Sequence, residues 1–179
     1  MKGIIFTEFL DMVEDGMGYD TVDQLITESN LPSGGAYTAI GTYHHSEMVT
    51  LVSGLSKKTA IPVSDLLHAF GQYLFGTFKK SYNNFLKAAP DAFSFLESIE
   101  KYIHVEVKKL YPDAELPKFE TERKSDKILE MVYYSDRRMS DFALGLIEKT
   151  FEHYEEKATV SRELIKEDGS EVLFIIQKE

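Results

Sequence analysis

The sequence predicts an α+β fold, in which a helical N-terminal part precedes an antiparallel four-stranded sheet with one helix packed against it. Three observations lead to this fold class. Apolar residues recur at three- and four-residue steps from Ile5 to Leu110, the apolar period changes to two from Lys118 onward, and a helical period returns between two hairpin patterns. Helices followed by antiparallel strands are typical of an α+β domain.

Turn residues divide the helical part into segments. Glycine or proline separates four predicted helices, which cover about residues 5–13, 19–30, 46–58 and 62–78. In the fourth helix, Gly71 and Gly76 interrupt an aromatic-rich stretch. Because each glycine lowers helix propensity by ~1 kcal/mol relative to alanine, we expect another element to approach this surface closely.

A longer helix is predicted over residues 91–111. Asp91 is suited to cap its N-terminus and Pro112 ends it. Large apolar residues recur along one stripe of this helix, and His104 lies at the edge of that stripe.

The β part contains two predicted hairpins. The first turns at residues 124–127, and the second joins strands over 160–165 and 172–176 through a turn at 167–170. A helix over about 140–156 separates them. The four strands account for the predicted sheet.

Length and composition favour one domain over residues 1–179. The formal net charge of −10 repels polyphosphate, which argues against nucleic acid or an anionic membrane as a partner. No apolar run approaches the ~20 residues that span a bilayer, and the N-terminus does not resemble a signal peptide, so we expect a cytoplasmic protein and a monomer. Cysteine is absent, which excludes disulfides, thiolate-bound zinc, iron–sulfur clusters and cysteine nucleophiles. Any metal must be held by histidine or carboxylates.

Among the five histidines, His104 is the one with an apolar setting, between Ile103 and Val105. No pair has the His-x-x-x-His spacing that holds zinc on a helix. On helix context alone, the favoured interpretation of His104 is a core-edge histidine that is hydrogen-bonded to a neighbour.

A second candidate feature is the segment that contains Tyr133, Ser135 and Arg137. If the segment stays extended, these three side chains project to one face and present hydrogen-bond donors together. Such donors suit a carboxylate or a phosphate, to which arginine can donate two parallel bonds. The alternative interpretation is a mixed polar strand face with Arg137 in solvent.

Considered together, these features resemble the H-NOX family, the haem nitric oxide/oxygen-binding domains, over essentially the whole chain. The start Met1-Lys2-Gly3-Ile4-Ile5 is similar to the family's start, and His104-Val105-Glu106-Val107-Lys108-Lys109-Leu110 resembles its haem-ligand helix. The proline that follows that helix corresponds to Pro117, and Tyr133, Ser135 and Arg137 match the Tyr-x-Ser-x-Arg signature. The segment 141–146 follows the signature as in the family.

The resemblance implies a haem b buried between the helical part and the sheet. His104 would be the proximal iron ligand, and Tyr133, Ser135 and Arg137 would hydrogen-bond the propionates. The resemblance places Ile5 and Pro117 at the family positions that bend the macrocycle. It places Phe78 at an aromatic position that lines the proximal side. The resemblance further implies a distal subregion over residues 1–60 and a proximal subregion over 61–179.

The resemblance also implies which gas a bound haem would favour. Oxygen-binding members have a distal tyrosine where this chain has Phe142, and the other matching distal positions are Phe9, Leu74 and Leu146. A pocket without a donor favours NO and CO over O2, since bound O2 carries partial negative charge. The signal would be loss of the bond between His104 and iron, transmitted to a separate histidine kinase or cyclic-di-GMP enzyme.

Three other functions stay open at this point. One is an O2-binding haem sensor, in which Tyr73 or Tyr134 would substitute as the donor. Another is a haem-free module that binds a hydrophobic anion, with His104 a packed core residue. The third is a peroxidase or oxygenase, which we disfavour because the distal positions offer no His, Arg or carboxylate to cleave an O–O bond; we therefore expect no enzymatic activity.

Overall fold

The structure is a computed structural model that describes residues 1–179. It confirms the predicted α+β fold, with seven α-helices before the first hairpin, one between the hairpins, and a four-stranded antiparallel sheet. The elements are α1 (Gly3–Met17), α2 (Tyr19–Glu28), α3 (His45–Thr59), α4 (Val63–Ser81), α5 (Asn83–Ala88), α6 (Ala92–Ser98), a π-helical turn (Ile99–Ile103), α7 (His104–Leu110), β1 (Lys118–Ser125), β2 (Ile128–Tyr134), α8 (Ser140–His153), β3 (Ala158–Leu164) and β4 (Glu171–Lys178). No helix is both long and apolar enough to cross a bilayer.

The sheet has the strand order β1-β2-β4-β3. Each strand pairs with an antiparallel neighbour, and alternate residues of the two central strands face α6 and α8. The buried strand residues are Leu129, Met131 and Tyr133 on β2, and Val172, Phe174 and Ile176 on β4.

The molecule contains two main apolar cores. One lies among α1–α4, and the other lies between the sheet and the helices α6 and α8. The helical core extends past residue 60, because Leu66, Leu67, Phe70 and Leu74 of α4 are buried in it. Helix α4 therefore joins the N-terminal helices to the sheet part.

Helices α4 and α8 meet at two glycines. A Cβ atom on Gly71 would lie 2.1 Å from the carbonyl oxygen of Phe142, and one on Gly145 would lie 2.2 Å from that of His68. Only glycine permits this backbone approach. The predicted close contact is thus confirmed at Gly71. It is wrong at Gly76, where an added Cβ would meet no atom within 4 Å.

The predicted continuous helix over 91–111 is wrong in its middle. A π-helical turn interrupts it at Ile99–Ile103, and the backbone N–H of His104 donates to the carbonyl oxygen of Ile99, five residues earlier. One inserted residue rotates the rest of a helix by about 100°. Ile99 and Ile103 consequently line a cavity next to His104, while Leu110, predicted to lie on the apolar stripe, is exposed.

Asp91 caps helix α6 as the sequence predicts. Its carboxylate accepts a hydrogen bond from the backbone N–H of Ser94 at 2.7 Å. Burial alone would raise the pKa of Asp91, but the hydrogen bonds of Ser94 and two nearby cations lower it overall. Since the folded pKa lies below the unfolded value of about 3.9, the stabilisation is present above that pH and is lost as the pH falls through the folded pKa.

We therefore expect Asp91→Ala to lower the free energy of unfolding by about 1 kcal/mol at neutral pH, because the helix loses its cap. Urea denaturation followed by circular dichroism measures this. Asp91→Asn is the matched control, since asparagine also caps helices and should retain most of the stability. Equal stability of the alanine variant and the wild type would contradict the assigned cap.

Candidate functional site

A large apolar cavity lies between the helical core and the sheet part. It contains about 1600 Å³ of space outside protein atoms, its open mouth included, and 25 of its 33 lining residues are hydrophobic. Ligand pockets are mostly apolar with a few directed polar groups. The lining of this cavity has that character.

His104 lines this cavity from the first turn of α7. Its Nδ1 atom lies 2.9 Å from Oε1 of Glu100, whereas its Nε2 atom has no hydrogen-bond partner in the protein. Burial lowers the pKa of His104, against the opposing effect of Glu100. A lowered pKa favours the neutral imidazole, which is the form that ligates metals.

Tyr133, Ser135 and Arg137 line the same cavity, although the segment does not stay extended through Arg137. Strand β2 ends at Tyr134, and the backbone N–H of Arg137 donates to Oγ of Ser135 at 3.2 Å in the following turn. Serine commonly forms turns of this kind with the backbone two residues on. The turn, rather than strand alternation, brings the three side chains together.

The hydroxyl groups of this triplet retain donor capacity. The backbone N–H of Met139 donates to the hydroxyl oxygen of Tyr133 at 3.0 Å, which leaves the phenolic proton to be donated elsewhere. Burial raises the pKa of Tyr133 against the lowering effects of neighbouring Ser135, Met139 and Arg137, so the phenol stays protonated at neutral pH.

Arg137 is the charged member of the triplet. Its side chain is 15% exposed, and its Nη2 atom donates to Oε2 of Glu115 at 3.2 Å, although Glu115 is itself 83% exposed. An exposed single contact of this kind contributes little to stability. The remaining guanidinium donors are available for a bidentate bond to a ligand carboxylate.

The predicted haem-contact and distal residues divide into two groups. Ile5, Phe78 and Pro117 line the cavity, as do Phe142 and Leu146. Phe9 and Leu74 do not line it. Both are fully buried in the helical core, where the ring of Phe9 contacts that of Phe70 edge-on at 5.2 Å. Phe70 lines the cavity wall in front of Phe9.

Sequence reasoning missed several lining residues. Leu67, Phe70 and Met139 line the cavity together with Tyr82, whose hydroxyl makes no hydrogen bond within the protein. The ring of Tyr82 contacts Phe78 edge-on at 5.9 Å, and burial raises its pKa. Periodicity could have placed Leu67 and Phe70 on one face of α4, but nothing in the sequence distinguishes Tyr82 from an exposed tyrosine at the end of a helix.

The other polar residues considered from the sequence lie elsewhere. His44 is exposed and caps α3, and His68 is half-buried with its Nε2 atom 2.7 Å from Oε2 of Glu148. The hydroxyl groups of Tyr73 and Tyr134 donate to Asp15 and Glu120, and neither tyrosine lines the apolar cavity. Across residues 1–179, no group of three or more His, Asp and Glu side chains could hold a metal ion.

The donor set fits a haem. An imidazole nitrogen without a protein partner faces an apolar cavity, as an axial ligand requires. Two hydroxyl donors and a mostly buried guanidinium at the same cavity match a pair of carboxylates, which would be costly to bury without such partners. His104 would hold the iron, and the triplet would hold the propionates.

The family-model match and the similar solved structures indicate the same family. The model of the family described as Haem-NO-binding matches residues 2–162. The chain is 51% identical to the H-NOX protein from K. algicida in its unliganded Fe(II) form, with a TM-score of 0.96. That match covers 100% of this chain and 97% of the K. algicida chain. The chain is 28% identical to the H-NOX protein from S. oneidensis in the Fe(II)NO state, with a TM-score of 0.92 and coverage of 100% and 99%.

A more distant similarity extends to an animal enzyme. The chain is 26% identical over 141 residues to soluble guanylate cyclase gcy-35 of Caenorhabditis elegans, which amounts to 76% of this chain. The match covers 20% of the length of that relative. The family model, the cavity and the full-length structural matches agree, and the chain belongs to the H-NOX family of haem-based gas-sensor domains.

Proposed function

We propose that this chain binds haem b through His104 and senses NO, with CO as a second ligand and O2 excluded. The observation that carries the proposal is a single apolar cavity that contains both the free Nε2 atom of His104 and the Tyr133, Ser135 and Arg137 donors. A ligand that combines a metal with carboxylates would satisfy both ends. Haem has both.

The exclusion of O2 rests on the side chains near Phe142. Phe142 and Leu146 line the cavity without a hydrogen-bond donor, and the hydroxyl of Thr150 donates to the carbonyl oxygen of Leu146 within its own helix. Bound O2 gains from a buried donor because of its partial charge, whereas NO and CO depend less on one. These walls favour NO and CO.

Signalling would proceed through His104. A bound ferrous haem would supply the iron that takes the gas, and His104 would hold that iron. On NO binding His104 would be released, and α7 would lose its tether to the cavity. The π-helical turn before His104 would allow α7 to move relative to the sheet.

The output would lie on a separate protein. We propose a histidine kinase or a cyclic-di-GMP enzyme as the partner, in the cytoplasm, and a monomeric sensor without catalytic activity of its own. The net charge of −10 makes nucleic acid and anionic membranes unfavourable partners.

Absorption spectroscopy of the purified ferrous protein tests the proposal. We expect an intense Soret band, an unchanged ferrous spectrum in air, and a shift to a five-coordinate spectrum on NO titration. Colourless, folded protein from haem-replete cells would instead indicate a haem-free module for a hydrophobic anion. A six-coordinate NO spectrum would contradict the release of His104.

A further inference from the structure

We propose that Glu100 is a positioning residue for the iron ligand, and that its carboxylate ties His104 to strand β1. The proposal rests on the proposed role of His104 and adds a residue that no part of the sequence pattern singles out. Its basis is one carboxylate oxygen that contacts two different elements.

The first contact is with His104. Oε1 of Glu100 lies 2.9 Å from Nδ1 of His104, at hydrogen-bond length, and the imidazole side chain is 14% exposed. A carboxylate only accepts hydrogen bonds when ionised, so Nδ1 must carry the proton. The lone pair then resides on Nε2, which is the atom without a protein partner. Glu100 therefore selects the tautomer that can ligate iron.

The second contact is with the sheet. The backbone N–H of Phe119 donates to the same Oε1 atom at 2.8 Å. Phe119 lies on β1, an edge strand whose only neighbour is β2, so this N–H would otherwise be unpaired. Phe119 is also the register partner of Tyr133, and their rings lie 5.8 Å apart. Glu100 thus links the iron ligand to the strand pair that carries a propionate donor.

The π-helical turn aligns this arrangement. Glu100 lies in the Ile99–Ile103 turn, in which the hydrogen bonds span five residues instead of four, and His104 directly follows the turn. The turn changes the angle between the two side chains, and the ring of His104 lies 6.0 Å from that of Phe119. π-Helical turns inside α-helices occur frequently at functional sites.

A charged acceptor on Nδ1 has a chemical effect on Nε2. It raises the basicity of the imidazole and fixes the ring orientation, as outer-shell carboxylates do for histidine ligands of other metals. The bond to iron should then be stronger than with a neutral acceptor, so Glu100 sets how readily NO releases His104. A residue that only fills space would not alter that bond.

The test uses Glu100→Gln and Glu100→Ala in the haem-bound protein. Glutamine keeps a side-chain oxygen that can accept both hydrogen bonds but removes the negative charge, and alanine removes both. We expect the iron–histidine stretching frequency of the ferrous protein, measured by resonance Raman, to fall in the glutamine variant and further in the alanine variant. We expect haem transfer to excess apomyoglobin to accelerate about 10–100-fold in the alanine variant.

A second readout separates the chemical role from a structural one. In the diamagnetic ferrous CO complex, ¹⁵N-labelled histidine should show a slowly exchanging Nδ1 proton on His104 in the wild type and fast exchange in Glu100→Ala. Conversion of the initial NO complex to the five-coordinate state should be faster in Glu100→Gln. Glu106→Gln is the matched control, because Glu106 pairs with exposed Lys109 on the same helix and should leave all four measurements unchanged.

An unchanged stretching frequency in Glu100→Gln, or an equal change in Glu106→Gln, would overturn the inference. If Glu100→Ala does not fold, Glu100→Gln alone still decides it. If the wild type shows no iron–histidine band, the ligand role of His104 fails instead. The two failures are therefore distinguishable in one experiment.

Discussion

Replacing His104 with alanine is expected to remove the haem from most of the purified protein, and added imidazole is expected to restore the Soret band. The imidazole of His104 is the one side chain at the cavity whose uncharged nitrogen has no protein partner. Alteration of groups that only support a metal ligand changes affinity by about 10–100-fold, so loss of the ligand itself should exceed about 100-fold. The substitution also leaves a hole of imidazole size.

Rescue by imidazole distinguishes ligation from packing. A small ligand can occupy the cavity left by a truncated side chain, and free imidazole would ligate iron there without the peptide link. We measure the ratio of Soret to protein absorbance with and without imidazole, and monitor folding by circular dichroism. His153→Ala is the control, since His153 is half-buried on α8 but does not line the cavity. A native spectrum in His104→Ala without imidazole would contradict the assignment.

Rescued protein should also separate binding from signalling. In the proposed mechanism, the release of His104 from iron is transmitted through α7. Free imidazole has no covalent link to that helix. NO should therefore change the spectrum of the rescued variant without changing the exchange of backbone amides in α7, as measured by mass spectrometry. An NO-dependent change in α7 that persists in the rescued variant would show that the signal travels by another route.

Local patterns sufficed to predict the order of elements. The switch from a helical to an alternating period near Lys118, and the turns between segments, depend on nearest neighbours along the chain. Asp91 is an example, since its cap joins two residues that are three positions apart. The helix ends differ from the prediction by a few residues, where local signals are weakest.

The site was predicted less completely, because it depends on contacts between distant segments. The π-helical turn at Ile99–Ile103 changes the face of His104 and has no periodic signature, and the contact of Glu100 with Phe119 spans 19 residues. Phe9 and Leu74 have suitable character for a pocket wall, but the packing of α1 on α4 turns them into the helical core. Family resemblance identified positions, whereas the packing determines which side chains reach the cavity.

Phe142→Tyr is expected to convert the protein into one that forms a persistent oxy complex in air. Phe142 lines the cavity, and its ring lies 5.1 Å from that of Phe70. Its carbonyl oxygen lies against Gly71, so the backbone of this residue is held by the contact between α4 and α8. The tyrosine hydroxyl would extend from the far edge of a ring that already faces the cavity.

The gain in affinity from Phe142→Tyr should be specific to O2. A hydrogen bond to a charged acceptor contributes about 1.5–3 kcal/mol, which corresponds to about 10–100-fold slower O2 dissociation. CO carries little charge when bound, and its affinity should change by much less. Stopped-flow absorption spectroscopy measures O2 dissociation, and laser photolysis measures CO rebinding.

The control is Phe142→Leu, which changes the volume at the same position without adding a donor. If leucine also yields a stable oxy complex, the pocket discriminates by space and not by hydrogen bonding, and the argument from the missing hydroxyl fails. If Phe142→Tyr binds no O2 while it keeps its haem and its CO affinity, the ring of Phe142 does not face the gas. A stable oxy complex in the unmodified protein would reverse the predicted selectivity.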